Sequence, residues 1–237
     1  MALSIVEILK LHGRIEQDAL AQAFARRFTD QPYRGYARGA AMLLGQITAG
    51  ADWRETSSTL FGSGSYGNGA AMRAAPIGGY FSGNPSRAAK EAQLSAVVTH
   101  AHPEVLAGAI AVAAAAAIAA NELHPAGQEF LTETLAFVPA SITRQRIQQA
   151  AEIPADRILD AIRELGTGYK VSAQDTVPFC LWIAAHHLDN YEEALWCTVE
   201  GMGDLDTTCA IVGGIVALSA REIPNKWLER REALPEI

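Results

Sequence analysis

Val105-Leu106-Ala107-Gly108-Ala109-Ile110-Ala111-Val112-Ala113-Ala114-Ala115-Ala116-Ala117-Ile118-Ala119-Ala120 carries no charge and is mostly alanine. A membrane-spanning helix needs ~20 predominantly apolar residues, and this run is shorter, so it reads as a buried helix. Its small side chains let neighbouring backbones approach closely, which predicts a compact bundle built around it. Outward from this segment, apolar residues recur at i, i+3, i+4 and i+7 and strict alternation is scarce. The expected fold is all-α, a compact orthogonal multi-helix bundle forming a single domain over residues 1–237.

Stop and start signals divide the chain further. Helices are expected from Leu3 to Leu11, Glu16 to Phe28, Tyr33 to Ala49, Trp53 to Phe61, Ala88 to Thr99 and Glu104 to Glu122. Later ones are expected from Gln128 to Pro139, Arg144 to Ala151, Ala155 to Leu165, Pro178 to Leu188, Tyr191 to Glu200 and Thr207 to Ala220. The polar tail, 224–237, reads as loose.

Apolar residues make up 49% of the chain and charged ones 19%, so disorder is excluded. Nineteen Lys and Arg against 26 Asp and Glu give a formal charge of -7, which argues against a sequence-blind grip on nucleic acid or an anionic membrane. Cys180, Cys197 and Cys209 lie among apolar residues and read as reduced thiols. With no secretory signal visible at the N-terminus, a cytoplasmic protein is expected.

Three irregular segments carry polar residues. Gly62-Ser63-Gly64-Ser65-Tyr66-Gly67-Asn68-Gly69 matches G-x-G-x-x-G in letters, but the segment before it is helical and no βαβ unit follows. What survives is a glycine loop running into a helix near Ala70, suited to a phosphate, or else a plain connector. Gly203-Asp204-Leu205-Asp206-Thr207 offers hard oxygen donors of the kind Mg²⁺ takes, although Asp ahead of a helix is also an ordinary cap. His100 and His102, two apart at a helix start, do not converge on one ion, so one ligand contact or a cap is the reading.

Gly67-Asn68-Gly69-Ala70-Ala71-Met72-Arg73-Ala74-Ala75-Pro76-Ile77-Gly78 resembles the signature of the ADP-ribosylglycohydrolase family, which includes the dinitrogenase reductase-activating glycohydrolase. Val98-Thr99-His100-Ala101-His102-Pro103 resembles the family's threonine-histidine helix start, and Gly203 to Thr207 resembles its C-terminal metal motif. Gly166 to Pro178 is similar to a loop of the family that leads into a helix. The resemblance implies an all-α, Mg²⁺-dependent hydrolase that removes ADP-ribose from a modified side chain or small acceptor. Asp204, Asp206 and Thr207 are then metal ligands for one or two Mg²⁺ ions, with Mn²⁺ as an alternative. Ser63, Gly64, Ser65, Tyr66, Gly67, Asn68, Gly69 and Met72 cradle diphosphate and ribose, His100 contacts the ligand, and Gly168 and Tyr169 line the adenosine side.

Two acidic motifs of the family, a Gly-Asp-x-x-Gly-type stretch with the catalytic acid and a Thr-Asp-Asp-Thr run, do not occur in this sequence. Met1 to Val6 resembles the helix that follows the second motif, so no catalytic acid is assigned. The alternative is a truncated or degenerate relative that binds ADP-ribose-like ligands, or serves a structural role, without catalysis. Self-association into a homo-oligomer is left open.

Overall fold

The computed structural model describes residues 1–220 and 222–235. Among these residues the protein is all-α, with fifteen α-helices and no strand. The alanine run forms α8, Pro103–Ala119, opened by Pro103 in its first turn and capped by the His102 ring, whose Nδ1 accepts from the Glu104 N–H at 3.3 Å. Val105 and every residue from 107 to 119 are buried, so this helix is apolar all round and has no solvent face.

Around it pack α5 (Gly69–Met72), α6 (Ala75–Tyr80), α7 (Pro85–Val97), α9 (Gly127–Leu135), α10 (Ile142–Ala150), α12 (Ala173–His186) and α14 (Leu205–Val216). Two glycines set the closest approaches. A Cβ on Gly78 would run into Ala113 O and lie 2.5 Å from Ala116 Cβ, and one on Gly108 would lie 3.1 Å from Ala173 Cβ. Only bare backbone lets α6 and α12 sit so near α8.

The first helices, α1 (Ala2–His12), α2 (Gln17–Asp30), α3 (Arg38–Thr48) and α4 (Trp53–Thr59), form a flanking layer. Helix α1 stops at Gly13, whose φ of 66° supplies the left-handed closing turn. Helix α3 starts five residues later than the apolar period suggests. The segment after Pro32 turns at Gly35, where φ is 74°, and this breaks the helix before Arg38.

Helix α12 contains Pro178 instead of starting at it. A proline there deprives the Gln174 carbonyl of its helical donor. Arg146 Nη1 on α10 replaces that donor at 3.0 Å, so an interior proline is tolerated. Helix α11 (Ile158–Leu165) leads into this region, while α13 (Tyr191–Glu200) and α14 close the other side.

Residues 224–235 of the tail carry α15 (Asn225–Leu228). Trp227 packs edge-on against Tyr191 and Trp196, with centroids 6.0 and 6.3 Å apart, and Lys226 pairs with Glu192 at 2.8 Å. Arg34 meets Glu232 through two 2.8 Å bonds. Residues 236 and 237 of the expected loose tail lie outside the described residues, as does Arg221. No helix among the described residues is long and apolar enough to cross a membrane.

Candidate functional site

Two of the three segments singled out by sequence, the glycine loop and the aspartate motif, meet at Asn68. Its Nδ2 donates to Asp204 Oδ2 at 2.7 Å and to Thr176 Oγ1 at 3.0 Å, and the side chain is 4% exposed. Its backbone N–H donates to Val171 O at 3.2 Å, and the adjoining Gly67 forms an isolated bridge with Ser172. The glycine loop, the 166–172 loop and the aspartate motif are thereby tied into one surface.

Glycines make this closure sterically feasible. A Cβ on Gly168 would lie 2.9 Å from Asp204 Cβ, and one on Gly203 would overlap the Thr167 carbonyl, which accepts from the Asp204 N–H at 3.1 Å. Buried Asp175 holds the other end of the loop, its Oδ2 accepting from the Lys170 N–H at 2.8 Å. Tyr169, at 83% exposed, stands out from this loop into solvent.

Asp204 caps nothing with its side chain. It precedes α14, and Asp206 and Thr207 fall within that helix's first turn rather than ahead of it. The Asp204 and Asp206 carboxyls lie within hydrogen-bonding reach of one another. Burial, and then the neighbouring Asp206, push the Asp204 carboxyl above the usual range. The bond from Asp204 holds Asp206 below it. Thr207 is buried, and its hydroxyl lies 3.4 Å from the Met72 sulfur and within hydrogen-bonding reach of the Asp204 carboxyl. Among the described residues no group of three or more His, Cys, Asp or Glu is arranged to hold a metal ion.

The glycine loop differs from a free phosphate cradle. The helix it enters, α5, spans only Gly69–Met72, and the Gly67 N–H is used within the loop, donating to Ser65 Oγ at 3.3 Å. Gly64 packs on the 100–103 segment, where a Cβ would lie 3.0 Å from Ala101 Cβ. Tyr66 stacks edge-on against His102 at 5.5 Å, and Ser63 is exposed. Gly69 covers the His100 ring so closely that a Cβ on it would lie 3.4 Å from Nε2. A hollow of about 740 Å³ is lined by Gln145, Arg146 and Glu164 and by none of the candidate site residues.

Sequence reasoning missed Thr176, which orients Asn68, and gave no role to Arg73. Arg73 is 2% exposed, sits 4.9 Å over the Phe24 ring and donates to Ser95 O at 3.1 Å and Thr99 Oγ1 at 2.8 Å. An arginine in the apolar run after the glycine loop was the available signal. His102 resolves as a helix cap, while His100 is 8% exposed beneath the loop.

Residues 1–237 match the profile of the ADP-ribosylglycohydrolase family. The chain belongs to this family. It is 32% identical over 227 residues to an uncharacterised protein of Archaeoglobus fulgidus, covering 94% of this chain and 71% of that one. It is 26% identical to the ADP-ribosylhydrolase ARH3 of Gallus gallus, covering 100% of this chain and 73% of the relative. The human ADP-ribosylhydrolase ARH3 is 24% identical, with 100% and 74% covered. The stretch Gly67 to Gly78 contributes both the end of the glycine loop and the buried Arg73 beneath it.

Two expected results follow from this surface. Met202 has a φ of 52° and is 76% exposed. Met202→Gly removes a left-handed penalty of about 1–2 kcal/mol and adds about 0.5–1 kcal/mol of glycine chain entropy, so denaturant melts should show a net gain. His100 falls from 6.5 to about 3, because burial disfavours the imidazolium and Arg73 lies nearby. Between those values the unfolded chain binds a proton that the folded chain refuses. Stability is then fully present above pH 6.5 and is lost towards pH 3, by about 1.4 kcal/mol per unit from this group. Urea melts of the wild type and His100→Gln at a series of pH values check this, the variant showing the flatter dependence.

Proposed function

We propose that this chain is a divalent-metal-dependent hydrolase that cleaves ADP-ribose, at its anomeric carbon, from a modified side chain or a small acceptor. Membership of the ADP-ribosylglycohydrolase family supports glycohydrolase chemistry in general. The observation that carries metal dependence is the arc of Asp204, Asp206 and Thr207 at the start of α14. Two carboxylates and a hydroxyl are hard oxygen donors, and carboxylates this close repel unless a proton or a cation sits between them. The donor set fits Mg²⁺, as one or two ions, or Mn²⁺. When bound, such an ion activates water and orients substrate hydroxyls beside an oxocarbenium-like centre.

The chain's own residues do the positioning. Thr176 orients the Asn68 amide, and Asn68 in turn fixes the Asp204 carboxyl. Ser65 braces the loop that faces diphosphate and ribose, His100 contacts the ligand from below, and Gly168 and Tyr169 flank the adenosine side. Calorimetric titration of ADP-ribose, once with Mg²⁺ and once with EDTA, tests the reading, together with release of ADP-ribose from modified arginine, serine and small acceptors. Mg²⁺-dependent binding with release is expected. Mg²⁺-dependent binding without release would make the protein a binding module, and no heat in either buffer would overturn both readings.

A further inference from the structure

The Thr99 hydroxyl stands between two partners of opposite character. Arg73 Nη2 approaches its oxygen at 2.8 Å and His100 Nδ1 lies 2.6 Å from the same atom. A guanidinium only donates, so the Thr99 oxygen is an acceptor towards Arg73. Among the described residues the hydroxyl proton then has one acceptor within reach, the Nδ1 lone pair. The field acts in the same direction, since the lone-pair end of a neutral imidazole is its negative end and here it faces a fully buried cation. No carboxylate pairs with that cation in this network: its other bonds go to the carbonyls of Gly69 and Ser95.

We infer that Arg73, acting through the Thr99 hydroxyl, locks His100 as the Nε2–H tautomer and so presents a fixed N–H donor to an oxygen-bearing ligand at the glycine loop. The ring is 8% exposed and no acceptor among the described residues is paired with Nε2. The positions that a Cβ would take on Gly67 and Gly69 lie 3.7 and 3.4 Å from that nitrogen, so the donor sits directly under the loop, and bare glycines keep the space above it open. The chemistry it suits is a phosphate oxygen, which an imidazole in the opposite tautomer would meet lone pair to lone pair, or a ribose hydroxyl oxygen acting as acceptor. Arg73 and Thr99 are positioning residues in this arrangement, and His100 is the contact. The inferred ligand rests on the function proposed above, whereas the tautomer stands independently of it.

Nitrogen-15 NMR of histidine-labelled protein at neutral pH tests the tautomer without ligand. A pyrrole-type Nε2 and a pyridine-type Nδ1 are expected for His100 in the wild type and in Thr99→Ser, while Thr99→Val should lose this single state. An imidazolium, or a protonated Nδ1 in the wild type, would overturn the inference. With ADP-ribose as probe in Mg²⁺ buffer, Thr99→Val should weaken binding by about tenfold, the scale of one hydrogen bond. Thr99→Ser should restore it, and His100→Gln, whose amide N–H mimics Nε2–H, should bind better than His100→Ala. Equal affinity for all these variants would overturn the donor role. Absence of ADP-ribose binding by the wild type would overturn the proposed function while NMR still decides the tautomer. Should Thr99→Val not fold, the wild-type spectrum and the His100 pair remain decisive.

Discussion

Replacing Asp204 with alanine is expected to lower Mg²⁺-dependent affinity for ADP-ribose by at least about a hundredfold, because even residues that only orient metal ligands cost 10–100-fold when changed. Asp204 is the point where the loops converge: its N–H is held by Thr167, its carbonyl receives Thr208, and its carboxyl receives Asn68. Alanine removes the metal donor and also strands one Asn68 N–H at a side chain only 4% exposed. A loss of about 1–3 kcal/mol of fold stability follows from that stranded group. Asp204→Asn separates the two effects, since an amide oxygen still accepts from Asn68 while the charge is gone. The asparagine variant should melt close to the wild type and still lose the Mg²⁺ dependence in calorimetry. Retained Mg²⁺-dependent binding in Asp204→Asn would remove Asp204 from the metal site.

The sequence made the bundle legible because its strongest signal, the charge-free alanine run, is also its geometric centre. A helix with no polar face can only be interior, and Val105 with residues 107–119 is interior on every side. The stop marked by Gly13 was equally plain, since glycine supplies the left-handed closing turn at no steric cost. At α12 a tertiary partner overrode a local rule. Pro178 is a helix breaker in isolation, and nothing nearby in sequence announces that Arg146 will take over the carbonyl it frees. Likewise, no local signal announces that the loop's Asn68 amide and Gly67 N–H are committed to Asp204, Thr176 and Ser65.

Within the candidate site, the acidic motif and the glycine loop could be named from residue types alone. Their joint was not legible, because it depends on Thr176, a residue of ordinary composition more than a hundred positions from Asn68. Arg73 was hidden for a different reason. A buried cation with no acidic partner among the described residues violates the usual expectation for arginine, and it is held by carbonyls and a hydroxyl whose directions only the fold defines.

A single substitution type should act with opposite sign at two helical glycines, and this tests whether α8 is the rigid centre of the bundle. On α6, a Cβ at Gly78 would overlap the Ala113 carbonyl and lie 2.5 Å from Ala116 Cβ and 2.8 Å from the Ala117 nitrogen. Two of those three atoms are backbone of a fully buried helix, so relief requires α6 to move away from α8 and opens gaps along both. Gly78→Ala should therefore cost about 3 kcal/mol, the upper part of the range for overpacking, and lower the melting midpoint by about 6–12 °C for a domain of this size. On α3, Gly45 has no atom within 4 Å of its Cβ position, so Gly45→Ala meets no clash. There the loss of glycine's unfolded-state freedom dominates, and the variant should gain about 0.5–1 kcal/mol. Differential scanning calorimetry of the two variants beside the wild type reads both signs at once. If Gly78→Ala melts with the wild type, α6 yields to the added methyl and the α6–α8 contact is not the close-packed centre that the geometry describes.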